Sequence, residues 1–445
     1  MNKLKSLFLT LCVGFGIQAH AQDQTGPMTL QQAIDYGLKN NPALKNANVD
    51  VEIARKKVKE TAAIGLPHIN GSIDYTGQPQ IAAMVIPSFT DPNKTQEFRM
   101  GISHTGAAKI QATWLILDGS YLLGLKASKE YVELASRMRA SSEIDTRVNI
   151  SKAYYMALIG DQSVTLLDST IKMLQQSHND VKALFEAGFA ERIDVQRLSL
   201  QLNNLKIQRE QTHNQREFAY RLLKFQMGMD VNAPLLLSDE LYQLKDLAGK
   251  LDTAAKPNLE SRPDYSLLTQ TQVLNKMNET RYKMGYLPSL SGFGSHQQTT
   301  YAMEGNFGDL GSKYYGGTTW GLSLRIPIFN GFQQNALLQQ AQLASLKTHN
   351  DLRMLESAVE NDVFYARTHY VTAKKTVENQ NENYELAKEI REIAAAKYQE
   401  GVGSSLEVTT SNNDLLVAET NYLSAIYDLL VAEIEYNKAL GRISK

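Results

Sequence analysis

Proline is missing from two long stretches of this chain, residues 93–233 and 328–445. Proline costs about 3 kcal/mol inside a helix, so very long helices are possible only where it is absent. Glycine is sparse in the same stretches, and where it occurs it repeats. Gly188 and Gly401 lie 213 residues apart, as do Gly228 and Gly441, and Gly119 precedes Gly331 by 212. Leu66-Pro67 returns as Leu287-Pro288, Asp118-Gly119 as Asn330-Gly331, and Asn41-Pro42 as Arg262-Pro263. This period is far longer than that of a solenoid, so a whole structural unit is duplicated. Each half reads as a helix, two strands, a very long helix, a turn and a return helix.

The helical stretches carry a coiled-coil seam. Val164, Leu167, Ile171, Leu174, His178, Val181 and Phe185 step by threes and fours, and so do Val408, Ser411, Leu415, Ala418, Tyr422, Ala425 and Leu429. The run Val377, Gln380, Tyr384, Ala387, Arg391, Ala394, Tyr398 keeps the spacing with smaller and more polar residues. Helices over residues 119–187 and 331–400 would each be about 100 Å long at 1.5 Å per residue, which predicts an elongated object.

Strand-like alternation precedes each long helix. Trp320, Leu322, Leu324, Ile326 and Ile328 alternate with Gly321, Ser323, Arg325 and Pro327. In the first half Phe98, Met100, Ile102, Ile110, Ala112, Trp114 and Ile116 share one parity, and Ile69, Gly71, Ile73 and Tyr75 alternate likewise, whereas 289–299 does so poorly. Alternation of this length fits transmembrane barrel strands with an apolar outside. A half-buried sheet of a soluble protein would give the same pattern in a single strand. Four strands cannot close a barrel, and lipid does not tolerate an open sheet edge, so copies of the chain must share one barrel. Two copies give eight strands, a barrel filled by side chains; three give twelve, with room for a pore.

Composition narrows the remaining classes. With 46 basic and 47 acidic residues the chain is neither a nucleic-acid binder working through overall basicity nor an acidic disordered chain. No run of about 18 apolar residues is present, so no membrane-spanning helix is expected. Lys3, Lys5, the apolar core of residues 7–17 and Ala19-His20-Ala21 read as a signal peptide over 1–21, the other reading being a short helix of the fold. The single cysteine, Cys12, lies within it, so no disulfide and no cysteine-based zinc site is expected. Among the eight histidines no two are three to five residues apart, which leaves no helical metal pair. No phosphate loop, dinucleotide loop or nucleophile elbow is found, so the chain is expected to be no enzyme and to hold no cofactor. His178 reads as a polar packing residue, and Met173, Met227 and Met229 as packing rather than soft-metal ligands.

The ordered set of these features resembles the TolC family of outer-membrane efflux proteins, over nearly the whole chain and in both halves. Its carriers are Leu66-Pro67 and Leu287-Pro288 at the strand entries, Ile326-Pro327-Ile328-Phe329-Asn330-Gly331 at the strand-to-helix exit, and the helical tips Gly188-Phe189-Ala190-Glu191 and Gly401-Val402-Gly403-Ser404. Barrel entry and exit would then be marked by Pro67, Gly119, Pro288 and Gly331. The resemblance implies a mainly α fold with β strands: a trimeric, twelve-stranded transmembrane β-barrel continued by a long coiled-coil periplasmic tunnel. Residues 22–228 would form the first repeat, with strands within about 68–118 and a return helix over 190–227. Residues 229–258 would connect it to the second repeat, 259–445, with strands within about 289–330 and a return helix over 404–440.

The resemblance further implies an outer-membrane location and a passive duct serving a tripartite efflux or type I secretion system. The partners would be a homotrimer, a periplasmic adaptor, an inner-membrane pump of RND or ABC type and outer-membrane lipid, with no nucleic acid. Adaptor docking would fall on the tips at Gly188, Phe189, Gly401, Val402 and Gly403. The family's periplasmic gate maps onto Asp194, Tyr398 and Glu407. The chain departs from the pattern at Gly403, where the family's best-known member has an arginine, and at Thr410, in place of a second carboxylate. The alternative class is an exported coiled-coil scaffold or adhesin fibre without a pore.

Overall fold

A computed structural model describes residues 26–88, 93, 95–248, 250–303 and 307–443. The expected signal peptide lies outside them. In chain order the elements are α1 (Leu30–Asn40), α2 (Pro42–Ala63), β1 (His68–Gly77), β2 (Ala83–Pro87), β3 (Thr95–Arg99), β4 (His104–Leu117), α3 (Gly119–Glu186), α4 (Arg192–Met227), α5 (Leu241–Ala248), α6 (Pro263–Met284), β5 (Ser289–Ala302), β6 (Tyr315–Arg325), α7 (Gln333–Gln399) and α8 (Ser405–Ala439). Helices α3 and α7 have 68 and 67 residues, so each is about 100 Å of continuous helix. The chain divides into two units: residues through Gly37 with Ile150–Leu247, and Leu38–Asn149 with Ala248–Lys445.

In the first unit α4 lies along the C-terminal part of α3. Leu167, Leu174 and Val181 of α3 are buried at seven-residue spacing, and Leu198, Leu202, Leu205 and Leu223 are buried on α4. Polar links tie the two helices. Asp161 accepts from Arg216 Nε and from the Tyr220 hydroxyl, each at 2.5 Å. Burial first, and then the Asp161 carboxylate, push the Tyr220 phenol well above its usual range. His178 sits in the seam with Nε2 2.9 Å from Ser199 Oγ, a polar packing contact. The approach to α1 is fixed by a parallel bridge from Met28 to Leu237 and by the Tyr154 hydroxyl on the Met28 carbonyl at 2.9 Å.

In the second unit α7 packs against α6 and α8. Leu352, Val359, Ala366 and Ala373 are buried at heptad spacing on α7, and Leu416, Leu423 and Leu430 likewise on α8. Tyr370 stacks on Tyr436 with ring centroids 5.8 Å apart, and Tyr384 on Tyr422 at 5.9 Å. By length and mean hydropathy α8 would pass for a membrane span, which the search for unbroken apolar runs does not reveal. Half of its most apolar window is buried, as befits the core helix of a bundle.

The same unit holds one antiparallel sheet of order β1-β4-β5-β6. The two repeats thus join through β4 and β5, and β1 and β6 are left as edges. Cross-strand register assigns the faces. Ile69, Ala112, Gly294 and Trp320 are mutual partners, as are Gly71, Ile110, His296 and Thr318, and these rows share one face. The rows between them, such as Asn70, Gln111, Ser295 and Thr319, form a polar opposite face. Ile73 and Trp320 on the first face are 89% and 82% exposed, values no apolar face of a water-soluble core would show.

Two strand expectations are corrected, and a third holds for a reason alternation does not show. Phe98 belongs to β3, which among the described residues pairs with β2 in a separate two-stranded sheet, and Met100 and Ile102 precede β4 rather than belonging to it. Register with β1 and β5 begins only at His104, because between Gly77 and His104 the segments Ala83–Pro87 and Thr95–Arg99 pair with each other. Ile326 and Ile328 lie beyond β6, which ends at Arg325, so the alternation runs on past the ladder. Residues 289–299 form a full strand despite their poor alternation, because β5 is paired on both sides and needs little side-chain help.

Candidate functional site

The tips are two helix ends with one design. At the first, Gly188 has φ +81°, the Phe189 N–H donates to the Leu184 carbonyl at 2.8 Å, and the Gly188 N–H donates to Phe185 at 3.0 Å. At the second, Gly401 has φ +74°, the Val402 N–H donates to Lys397 at 3.0 Å, and the Gly401 N–H to Tyr398 at 3.1 Å. These paired bonds are the Schellman arrangement, and only glycine enters the left-handed region without a steric cost. Phe189 and Val402 occupy matching places beyond the glycines and are 82% and 80% exposed.

The chain then enters the return helices. Glu191 precedes α4, and its N–H donates to Asp194 Oδ2 at 3.4 Å. Asp194 also lies 4.0 Å from Arg197 Nη1. Ser404 precedes α8, its Oγ accepting the Glu407 N–H at 3.1 Å. Glu407 Oε1 is 3.3 Å from Lys397 Nζ, so an ion pair spans the second turn. Both carboxylates sit in a first helical turn, where the backbone N–H groups favour negative charge. Tyr398 is half-buried one residue after Lys397. The Lys397 pair escaped the sequence reading, since a lysine ten residues before a glutamate matters only once a turn brings them together.

Gly403 has a geometric cause. A Cβ there would stand 2.9 Å from the Tyr398 nitrogen and 3.0 Å from the Lys397 carbonyl carbon. Any side chain at this place would therefore need a different backbone path.

At the other end of the long helices, Pro67 and Pro288 stand immediately before β1 and β5. Gly119 opens α3, and a Cβ on it would lie 3.1 Å from Met284 Cβ. Asp118 Oδ1 caps that helix by accepting the Tyr121 N–H at 2.8 Å. Gly331 has φ +64°, and Phe332 follows at φ +66° before α7. Among the described residues no group of three or more His, Cys, Asp or Glu side chains is arranged to hold a metal ion.

Comparison with known proteins gives these features a context. The sequence pattern of the family described as outer membrane efflux protein matches residues 33–229 and 283–442. The outer membrane protein TolC of Vibrio cholerae is 19% identical, with 100% of this chain and 97% of that one covered. The toluene efflux pump outer membrane protein TtgF of Pseudomonas putida is 23% identical, over 93% of this chain and 83% of its own length. The crystal structure of the Campylobacter jejuni CmeC outer membrane channel has the same fold, with a TM-score of 0.70 at 17% identity, 93% of this chain and 85% of that one being covered. A duplicated helix–strand–helix chain whose pattern matches in both halves is thus a member of the outer membrane efflux protein family, a channel protein of the Gram-negative outer membrane.

Proposed function

We propose that three copies of this chain form one exit duct, closed as a twelve-stranded barrel in the outer membrane and continued by a periplasmic tunnel of their long helices. The observation that carries this is the sheet. It has four strands, two edges, one apolar exposed face and one polar face. Lipid demands closure, and the polar face then lines a water-filled lumen. The duct conducts passively and performs no chemistry. An inner-membrane pump selects the cargo, and a periplasmic adaptor joins that pump to the tips at Phe189 and Val402. The tips form the entrance, with Asp194, Tyr398 and Glu407 in the gate that holds it shut.

The test is conductance of the purified protein in a planar bilayer, with its mass measured in detergent by light scattering. A trimer with discrete single-channel steps is expected. A monodisperse monomer without conductance would favour a coiled-coil scaffold. Register is tested separately: Leu324→Arg, on the apolar face, should cost about 2–4 kcal/mol near the bilayer midplane. Ser323→Arg, on the polar face, should leave membrane assembly nearly intact, and equal losses would overturn the face assignment.

A further inference from the structure

The four strands of the sheet hold only three Asp, Glu, Lys or Arg side chains: Asp74 on β1, Lys109 on β4 and Arg325 on β6. Register puts all three on the polar face. Asp74 is level with Ala107, Thr299 and Tyr315, Lys109 with Ser72, Gln297 and Gly317, and Arg325 with Ser289. Arg325 ends β6 on the side joined to the long helices. From Ser289, its partner, to Gln297, the partner of Lys109, β5 climbs eight residues, about 27 Å at 3.4 Å each. Lys109 is therefore the cation that stands inside the sheet rather than at its rim.

Its neighbours leave it without a counter-charge. Ser72 Oγ donates to Asp74 Oδ2 at 3.1 Å, and Gln297 Nε2 donates to Thr299 Oγ1 at 3.0 Å, so both cross-strand partners engage the next row. Gly317, the fourth member of the row, has no side chain, and a Cβ there would meet nothing within 4 Å. Asp74 is one row away, yet no ion pair joins it to Lys109. Among the described residues the Lys109 ammonium has neither a hydrogen bond nor a salt bridge. A lysine ammonium is a compact point charge with three donors, and here all three are open to a solute.

We propose that Lys109 sets the duct's preference by charge among the solutes delivered to it. In the closed barrel each copy brings its Lys109 to the same height, and the three ammonium groups form a positive ring on the lumen wall. That ring favours anionic solutes, those bearing carboxylate or phosphate groups, over cationic ones. Rings of like charge select by sign, and low-dielectric walls focus their field across the lumen. Asp74 opposes the ring from the next row. The inference rests on the reading of this face as the lumen of a duct.

Reversal potentials of single channels of the full chain, measured across a KCl gradient in a planar bilayer, give the chloride-to-potassium permeability ratio. Lys109→Gln should lower that ratio several-fold and Lys109→Glu should lower it further, whereas Lys109→Arg should keep it. Asp74→Asn should move it the opposite way. Lys109→Gln places in the row a residue type it already contains, so the test stands even where Lys109→Glu does not assemble. The Debye length is about 10 Å at 0.1 M salt and about 3 Å at 1 M, so the effect of Lys109→Gln should shrink as the mean salt concentration rises between these values. A ratio unchanged in Lys109→Gln, or moved in the same direction by Lys109→Gln and Asp74→Asn, overturns the selecting ring while leaving the duct standing. Absence of conductance steps in the unaltered protein overturns the duct itself.

Discussion

At the first tip Asp194 turns back on its own helix start, whereas at the matching place of the second tip, 213 residues on, Glu407 reaches across the turn to Lys397. The turns themselves are alike: glycine in the left-handed region, two reverse hydrogen bonds, an exposed apolar residue, then the return helix. Duplication preserved the backbone device and released the side chains. Lys397 corresponds to Leu184, Gly403 to Ala190, and Ser404 to Glu191. The second tip brings Gly403 against its own preceding turn and pairs its carboxylate with a lysine across that turn, whereas Asp194 lies 4.0 Å from Arg197 on its own helix.

The largest effect should come from what the tips share. Phe189→Asp combined with Val402→Asp is expected to abolish export and adaptor cross-linking at normal expression, with trimer and membrane insertion intact. Either single change should weaken export less, and unchanged export in the double variant would return these residues to ordinary turns. Next comes what separates the tips. Gly403→Ala should cost about 1–3 kcal/mol, because the added methyl meets backbone. Ala190→Gly at the matching place should cost no more than about 1 kcal/mol. Thermal unfolding of the two variants measures this asymmetry, and equal losses would show that the tips are equivalent after all.

Smaller effects sharpen the contrast between the carboxylates. Asp194→Ala should cost about 0.3–1 kcal/mol, because Asp194 stands in the first turn of α4 and accepts the Glu191 N–H. Glu407→Gln should cost at most about 1 kcal/mol, since both partners of its ion pair are about half exposed. Hydrogen exchange at the first turns of α4 and α8 would resolve them.

A similar divergence marks the entry helices, where Asn41-Pro42 corresponds to Arg262-Pro263. Asn41 Oδ1 accepts the Ala43 and Leu44 N–H groups at 2.8 and 3.3 Å, an ordinary cap. Arg262 instead forks onto Asp264 at 3.0 and 2.6 Å, and also reaches Asp362 and the Ala439 carbonyl. Burial acts to raise the Asp264 pKa, but the Arg262 guanidinium overcomes it and leaves the carboxyl below its usual range. A depressed folded pKa means stability that is present above the unfolded value of 3.8 and lost as pH falls below it. Acid unfolding below about pH 4 should therefore become shallower in Asp264→Asn, while Asn41→Ser, which keeps an uncharged cap, leaves that slope unchanged. An identical slope in Asp264→Asn would remove the pair from the acid response.

The long helices were legible because a helix needs only local permission: no proline, few glycines, and a heptad seam over residues 164–185 and 377–398. The turns were equally legible, since left-handed backbone singles out glycine at 188, 228, 401 and 441. Three things were decided only in three dimensions. Ala83–Pro87 and Thr95–Arg99 pair with each other, because strand identity depends on which partner the chain finds and Phe98 meets Met84 instead of extending β4. Glycine-rich β5 becomes a strand because β4 and β6 supply the hydrogen bonds on both sides. The ion pair between Lys397 and Glu407 exists because a tight turn brings together charges ten residues apart, a proximity that periodicity along the chain does not encode.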